Sequence, residues 1–314
     1  MIPSNHLQER EMGRIKIILN PVAGRGYGAR SEPEIRRFLE ATGVDYDLVL
    51  TEGFWHAAEL AEQAVKDGVD LIVAAGGDGT VHEVVNGMMA TVNDDSKVAG
   101  TLGTLPVGSG SDFAHNVGVP ADLRDACHRL IHGQTRIIDV GRVTVDEQPA
   151  KYFDNTINVG FGGTVTAEAR KVKWVRGMAL YLPVVLKTIF LARSPRMTVK
   201  YNDEEITMPT LMVAVGNGAR EGGGFFCTPD AQPDDGLLDL CIAEAVGKLT
   251  QLSLVPRFMD GSHRNHPAVT MTRTARATVT SPDNLIAHAD GEMLCTEAHR
   301  LEFEILPQRL RVMC

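Results

Sequence analysis

No apolar run in the chain reaches the ~18 residues that argue for a membrane span. The nearest approach, Gly177 to Ala192, is broken by Pro183 and Lys187, so no transmembrane segment is expected. The opening residues, MIPSNHLQEREMG, hold no apolar core of a secretory signal. Cysteine is sparse: Cys127, Cys227, Cys241, Cys295 and Cys314 are scattered, odd in number and without a CxxC pair. That argues against a disulfide framework and a cysteine zinc site, and points to a reducing, cytoplasmic setting. Internal repeats and low-complexity segments are missing as well. Positive charge is in deficit. A formal net charge of −9 sets nucleic acid aside as a partner and favours a neutral or cationic one, or an anion carried with a metal.

What remains is the composition of a folded protein, 44% apolar and 23% charged, and 314 residues are enough for two domains. The first third alternates strand and helix patterns. IKIILN, YDLVLT, DLIVAA and VAGTLGTLPVG read as strands. EPEIRRFLEAT, HAAELAEQAVKDG, VHEVVNGMM and LRDACHRLIHG carry apolar residues at helical spacing. This alternation predicts an α/β unit with an open, mostly parallel sheet. Past Arg136 the texture becomes β-rich, interrupted by helices at about 164–192 and 247–260. We therefore expect an α/β nucleotide-binding domain over 13–138 and a β-rich domain over 139–305. A strand at about 306–314 is free to return to the first domain.

Glycine-rich stretches end three of the predicted strands: NPVAGRGYG (20–28), GGDGTVHE (76–83) and LPVGSGSDFA (105–114). A strand, a glycine turn and a helix start make a natural phosphate site. The backbone N–H groups approach the anion closely, and the helix dipole favours negative charge. GGDGT is not a Walker A loop and lacks the GxGxxG spacing. Alone it has a plain structural reading, in which Thr80 and Glu83 form a capping box and Asp78 steadies the turn. Ligands of open α/β sheets, however, bind outside the carboxyl ends of the strands. Three such loops on one edge favour phosphate.

Together NPVAGRG, GGDGTVHEVVNG and LPVGSGSDFA resemble the nucleotide-site motifs of the diacylglycerol kinase catalytic family, which includes sphingosine and ceramide kinases and soluble bacterial lipid kinases. GNG, GGGFFCTPDAQPDDGLLDL and DGE follow in the family's order, so the resemblance covers nearly the whole chain. GGDGT by itself is shared with NAD kinases and phosphofructokinases. The resemblance implies a diacylglycerol kinase/NAD kinase-like α/β domain followed by a β-sandwich-like domain. It implies ATP held by Gly76, Gly77, Asp78, Gly79, Thr80, Val81 and His82, with Asn20, Pro21, Gly24, Thr51 and Ser109 beside it. Departures are Ala23 where Ser is usual, Ser109 and Ser111 for the Thr and Asn of GTxNDFA, and His82 where bacterial members often carry Asn. Sphingosine kinases resemble this chain at His82.

HADGEML sets Asp290 and Glu292 about a glycine. Asp-Gly between extended runs reads as a hairpin turn. Residues two apart on an extended chain share a face, so both carboxylates would face the cleft if the local chain is extended. The resemblance makes this DGE the catalytic element, with Glu292 as general base and Asp290 as its partner or alternative. PDAQPDDGLLDL gathers Asp230, Asp234, Asp235 and Asp239. It is either a solvated acidic turn or, as the resemblance implies, a structural Mg²⁺ site of Asp235 with groups of Gln232 and Leu237. A second Mg²⁺ would arrive with ATP and meet Asp78. REGGGFF (220–226) reads equally as an anion-binding nest and as a turn. Residues 168–193 are basic, then apolar. Lys171, Lys173, Trp174 and Arg176 flank a core helix or, for a lipid substrate, touch a bilayer.

The expected activity is transfer of the γ-phosphate of ATP to a lipid hydroxyl, with diacylglycerol giving phosphatidic acid as the family default. The expected setting is a cytoplasmic protein peripheral at the inner membrane surface, and related bacterial kinases imply a homodimer. Competing readings are a kinase of a sphingoid base or another lipid, an NAD kinase-like activity, and a nucleotide- or lipid-sensing module without turnover. Retention of Asp78, Asp290 and Glu292 argues against the last.

Overall fold

The computed structural model describes residues 13–92, 97–171 and 178–314. The first part runs β1 (Ile15–Leu19), α1 (Ala23–Thr42), β2 (Tyr46–Leu50), α2 (His56–Lys66), β3 (Leu71–Gly76), α3 (Asp78–Ala90), β4 (Thr101–Pro106), α4 (Asp112–Asn116) and α5 (Leu123–His132). Its strands are parallel in the order β4-β3-β1-β2. Every residue of β3 is buried, as the apolar run over 70–75 requires of a central strand covered on both faces. Helix α1 opens with Gly24, Arg25 and Gly26 in left-handed conformation, so the regular helix starts beyond them. From there Ile35 and Leu39 enter the core and Phe38 packs against it. Helices α2 and α3 meet backbone to backbone: a Cβ on Gly87 would lie 2.0 Å from the carbonyl oxygen of Ala58.

The second part comprises β5 (Thr135–Val145), β6 (Lys151–Phe153), β7 (Thr156–Gly160), α6 (Phe161–Ala169), α7 (Met178–Leu191), β8 (Arg196–Tyr201), β9 (Glu204–Gly216), β10 (Leu238–Glu244), α8 (Lys248–Asp260), a 3-10 turn (Ser262–Asn265), β11 (Val269–Thr274), β12 (Arg276–Ala289) and β13 (Glu292–Met313). These strands pair antiparallel in a β-sandwich-like unit. The helix expected over 164–192 is instead α6 and α7, and Lys173, Trp174 and Arg176 lie outside the described residues. Lys171 is exposed and pairs with Glu168. Among the described residues no helix is long and apolar enough to cross a membrane.

Apolar side chains form two large clusters. One joins β1, β3, α3 and α5 to Leu306, Leu310 and Val312, and the other runs from Val143 to Ile305. Strand β13 belongs to both. It pairs with β12 and β5, and then lies parallel to β4, with Arg311 opposite Thr101 and Val312 opposite Leu102. The carboxyl edge of β1, β3 and β4 thereby faces the turn between β12 and β13.

Candidate active site

A cleft of about 680 Å³ lies between that edge and the second part. Of the expected nucleotide contacts, Asn20, Pro21, Gly24, Thr51, Gly77, Asp78, Gly79, Thr80 and Ser109 line it. Gly76, Val81 and His82 do not. Gly76 ends β3, Val81 packs into the first core, and His82 is buried and turned to Asp290. The second and third loops are packed on each other: a Cβ on Gly108 would fall 2.2 Å from the Cα of Gly77. Glycine is demanded there by backbone packing before any ligand enters.

The Thr80–Glu83 capping box does not form. Helix α3 starts after Gly77 with no side-chain cap. The Thr80 hydroxyl accepts instead from Asn20 Nδ2 at 3.1 Å, and Glu83 Oε2 accepts from the Ala57 N–H of α2 at 3.2 Å. Spacing made the box available, but tertiary partners took both side chains. A helix start that faces a cleft without a side-chain cap keeps its first N–H groups for a ligand, as an anion site requires.

A half-buried carboxyl, Asp78, and a buried one, Asp112, flank this helix start. Asp78 Oδ1 accepts from the Phe113 N–H at 3.0 Å. Burial, and then the charge of Asp112, push the Asp78 carboxyl up to about 7. Asp112 in the first turn of α4 is also raised, by burial, although it accepts the Gly223 N–H at 2.7 Å and pairs with Arg220 at 2.9 Å. Gly222 and Gly223 are left-handed, with φ of 62° and 77°. REGGGFF is therefore a turn, closed by the Gly224 and Phe225 N–H groups on the Glu221 carbonyl, from which the Gly223 N–H reaches Asp112. Two acids held above their ordinary range would gain from a divalent cation entering beside them. Asp112 was not a sequence candidate, although it sits within LPVGSGSDFA.

Ala289 pairs with Glu292, so Asp290 and Gly291 form a two-residue turn with φ of 50° and 83°. These are the left-handed angles of a type I′ hairpin. Asp290 Oδ1 accepts the N–H groups of Asn155 (3.1 Å) and Thr156 (2.8 Å). Its Oδ2 accepts from His82 Nδ1 (2.8 Å) and the Asp154 N–H (3.3 Å). Burial opposes ionisation of Asp290. The His82 bond and charge, Asp154 and the Thr156 N–H outweigh it and hold the carboxyl below its ordinary value. Adjacent Asp154 is pushed well above its own by burial and the Asp290 charge.

Asp290 reaches the cleft wall, but its side chain is only 1% exposed and both oxygens are committed. The extended chain that would turn both carboxylates into the cleft is not present, because Asp290 and Gly291 are left-handed. Glu292 alone is open, with its side chain 28% exposed and paired to Arg170. It stands against the start of α3, where a Cβ on Gly79 would meet its Oε1 at 2.7 Å.

The expected metal residues are arranged differently. Asp235 Oδ1 accepts the Leu237 N–H at 3.0 Å, and its Oδ2 lies 3.5 Å from Arg273 Nη1. Arg273 also holds Asp239 through Nε at 3.2 Å and donates to the Asp230 carbonyl at 2.9 Å. Gln232 borders a separate hollow with Asp230 and Asp239. Arg273 supplies positive charge to the acidic turn on which a structural Mg²⁺ held by Asp235, Gln232 and Leu237 is expected.

Beside the cleft lies an apolar cavity of about 100 Å³, walled by α6, α7 and α8 through Val165, Val185, Ile189, Leu254 and Phe258. Gly291, Gly222 and Glu221 border both spaces. No local pattern announces this cavity, since its walls come from three separated helices.

Two family models cover this architecture. The "Diacylglycerol kinase catalytic domain" matches residues 14–143, and the "YegS C-terminal NAD kinase beta sandwich-like domain" matches 155–314. A diacylglycerol kinase of Mycobacterium tuberculosis is 28% identical over 99% of this chain and 98% of its own. A Klebsiella pneumoniae protein named "Probable lipid kinase YegS-like" is 32% identical over 91% and 92%. A crystal structure of a diacylglycerol kinase from Bacillus anthracis superposes with a TM-score of 0.73, at 20% identity and 96% coverage of each chain, and so shares the fold.

Proposed function

The chain belongs to the diacylglycerol kinase catalytic family and is a lipid kinase, and from that premise we propose that it transfers the γ-phosphate of ATP to the free hydroxyl of a diacylglycerol, giving phosphatidic acid. The observation that carries this reading is the position of Glu292. An open carboxylate stands against the uncapped start of α3, next to Gly291 in the wall of an apolar cavity.

In this reading 13–138 binds the nucleotide, 139–305 binds the acceptor, and the strand at 306–314 completes the first unit. The phosphates lie against the N–H groups of Gly77 to Gly79, since the Thr80 N–H already donates to the Gly77 carbonyl. Asp78 and Asp112 are the carboxylates that would hold a Mg²⁺ brought with the nucleotide, which would screen the phosphate charge. Glu292 takes the proton of the lipid hydroxyl. The oxygen attacks the γ-phosphorus in line, the bond to the bridging oxygen breaks, and ADP leaves. Arg170 pairs with the Glu292 carboxylate and orients it before the acceptor arrives. Asp290 does not exchange a proton. It fixes the turn that presents Glu292.

The acceptor would come from a membrane. Leu186, Phe190 and Leu191 on α7 and Leu249 on α8 are exposed beside the cavity walls Val185, Ile189 and Leu254. Lys187 and Lys248 rim them. An apolar patch with a basic rim suits an anionic bilayer surface. The enzyme is then a cytoplasmic protein that works at the inner membrane face.

The test is transfer of labelled γ-phosphate from MgATP to diacylglycerol in mixed micelles, with NAD as a second acceptor. Labelled phosphatidic acid from the wild type and a loss of about a hundredfold or more in Glu292→Gln are expected. Label on NAD alone would sink the proposal.

A further inference from the structure

Glu221 carries a buried carboxylate that the reaction above leaves unused. It is 9% exposed and stands at the neck between the nucleotide cleft and the apolar cavity. Oε1 accepts from Asn158 Nδ2 at 2.9 Å and the Cys227 thiol at 3.0 Å, and Oε2 accepts the Thr156 hydroxyl at 3.0 Å. These donors fix the carboxylate in place. A carboxylate has about four acceptor sites, so one remains.

His288 stands beside it in the cavity wall, also buried. Its Nδ1 faces the Gly291 N–H at 3.4 Å and must accept there. With Nδ1 accepting, Nε2 carries the ring's N–H. That Nε2 is 4.0 Å from Glu221 Oε2, beyond hydrogen-bond reach. The neck therefore offers one acceptor and one donor side by side that do not satisfy each other.

The group that satisfies both is a hydroxyl, which donates to Glu221 and accepts from His288. An ester carbonyl only accepts, and would face the carboxylate oxygen to oxygen. The cavity behind the neck, about 100 Å³, is smaller than the ~300–1,000 Å³ of ordinary ligand pockets and suits one acyl chain better than two. We propose that Glu221 and His288 form a specificity site for a second hydroxyl next to the one phosphorylated. The enzyme then prefers a single-chain acceptor with two neighbouring hydroxyls over a diacylglycerol, whose neighbouring position is esterified. The inference rests on the lipid-kinase reading and ranks a single-chain diol above the diacylglycerol default named there. A site built to bond a hydroxyl discriminates against an analogue without one, because its buried polar groups are left unpaired.

The experiment compares three acceptors in detergent mixed micelles with MgATP: a 1-monoacylglycerol, the ester of propane-1,3-diol with the same chain, and a 1,2-diacylglycerol. The first two share chain and terminal hydroxyl and differ only in the neighbouring one. Wild-type kcat/KM is expected to be at least about tenfold higher for the monoacylglycerol than for the propanediol ester, and higher than for the diacylglycerol. Glu221→Gln and His288→Gln should each bring the first ratio to within about threefold, through loss on the monoacylglycerol. Equal wild-type values for the two single-chain esters overturn the inference, as does a full ratio retained in Glu221→Gln. The wild-type ratio decides alone if the variants do not fold. Phosphorylation of none of the three lipids overturns the lipid-kinase reading itself, whereas equal phosphorylation of all three overturns only this inference.

Discussion

Nδ1 of His82 lies 2.8 Å from Oδ2 of Asp290, and through this buried contact helix α3 grips the turn that carries Glu292. The helix belongs to the nucleotide side of the cleft and the turn to the other side. A side chain expected to touch ATP is thus a strut across the two halves.

Removing the strut should cost both stability and rate. His82→Ala leaves a buried carboxylate one donor short, a loss of about 2–3 kcal/mol. The melting temperature should fall by several degrees and kcat with it. His82→Asn keeps a donor and should retain more of both. Wild-type melting and turnover in His82→Ala would show that the contact does nothing.

Asp290 and Glu292 should separate in experiment. Glu292→Gln is expected to lower kcat by about 10²–10⁴ with little change in melting. Asp290→Asn replaces a carboxylate that accepts four donors, and should lower the melting temperature as well as the rate. Paired melting curves and initial rates decide it. Equal stability of both variants with wild type would mean that Asp290 does not support the turn.

The acid beside the helix start should register as a pH effect. The folded Asp78 carboxyl is near 7, raised from 3.8, so the folded state binds its proton more tightly than the unfolded chain does. Its contribution to stability is fully present below about pH 3.8 and is lost as pH rises through about 7. Asp78→Asn does not titrate. Its melting temperature relative to wild type should rise between pH 5 and pH 8, while phosphoryl transfer collapses. Mg²⁺ with nucleotide should narrow the gap at pH 8 by stabilising the ionised wild-type carboxyl. A gap that shrinks with rising pH would contradict the assignment.

Chelation tests the acidic turn at 230–239. Arg273 supplies its positive charge, so EDTA should leave the melting temperature of the nucleotide-free protein unchanged within about a degree. A drop of several degrees, reversed by Mg²⁺, would restore a structural ion to that turn.

The exposed face of α7 and α8 should govern access to membranes. The double change Phe190→Glu and Leu249→Glu is expected to abolish sedimentation with anionic vesicles and to lower activity on vesicle-borne lipid about tenfold or more. Activity on a dispersed short-chain acceptor should persist. Equal loss on both substrates would place the fault in catalysis instead.

Much of this organisation is legible in the sequence. The parallel core is visible because β3 is apolar at every position and the helical stripes alternate with strands. The shared edge of the glycine loops follows from strand connectivity alone. The capping box illustrates the limit of spacing. Three residues of separation permit the Thr80–Glu83 motif, but Asn20 and Ala57, distant in sequence, claimed the two side chains. The same limit hid Asp112, whose partner Gly223 lies on a remote loop. It also hid Asp154 and Glu221, whose surroundings exist only once β7, β12 and the triple-glycine turn are assembled.

Strand β13 has a consequence for the order of events during synthesis. Arg311 pairs with Thr101, and the Ala99 N–H donates to the Arg309 carbonyl at 2.8 Å. When β4 leaves the ribosome, the strand that will flank it has not been translated. The nascent nucleotide half must wait, with one sheet edge uncovered, while the whole acceptor half is made. Non-local pairing of this kind is slow and leaves strand edges exposed to wrong partners. The two halves therefore finish folding together, so that the phosphate loops gain their full support only when the turn carrying Glu292 already exists.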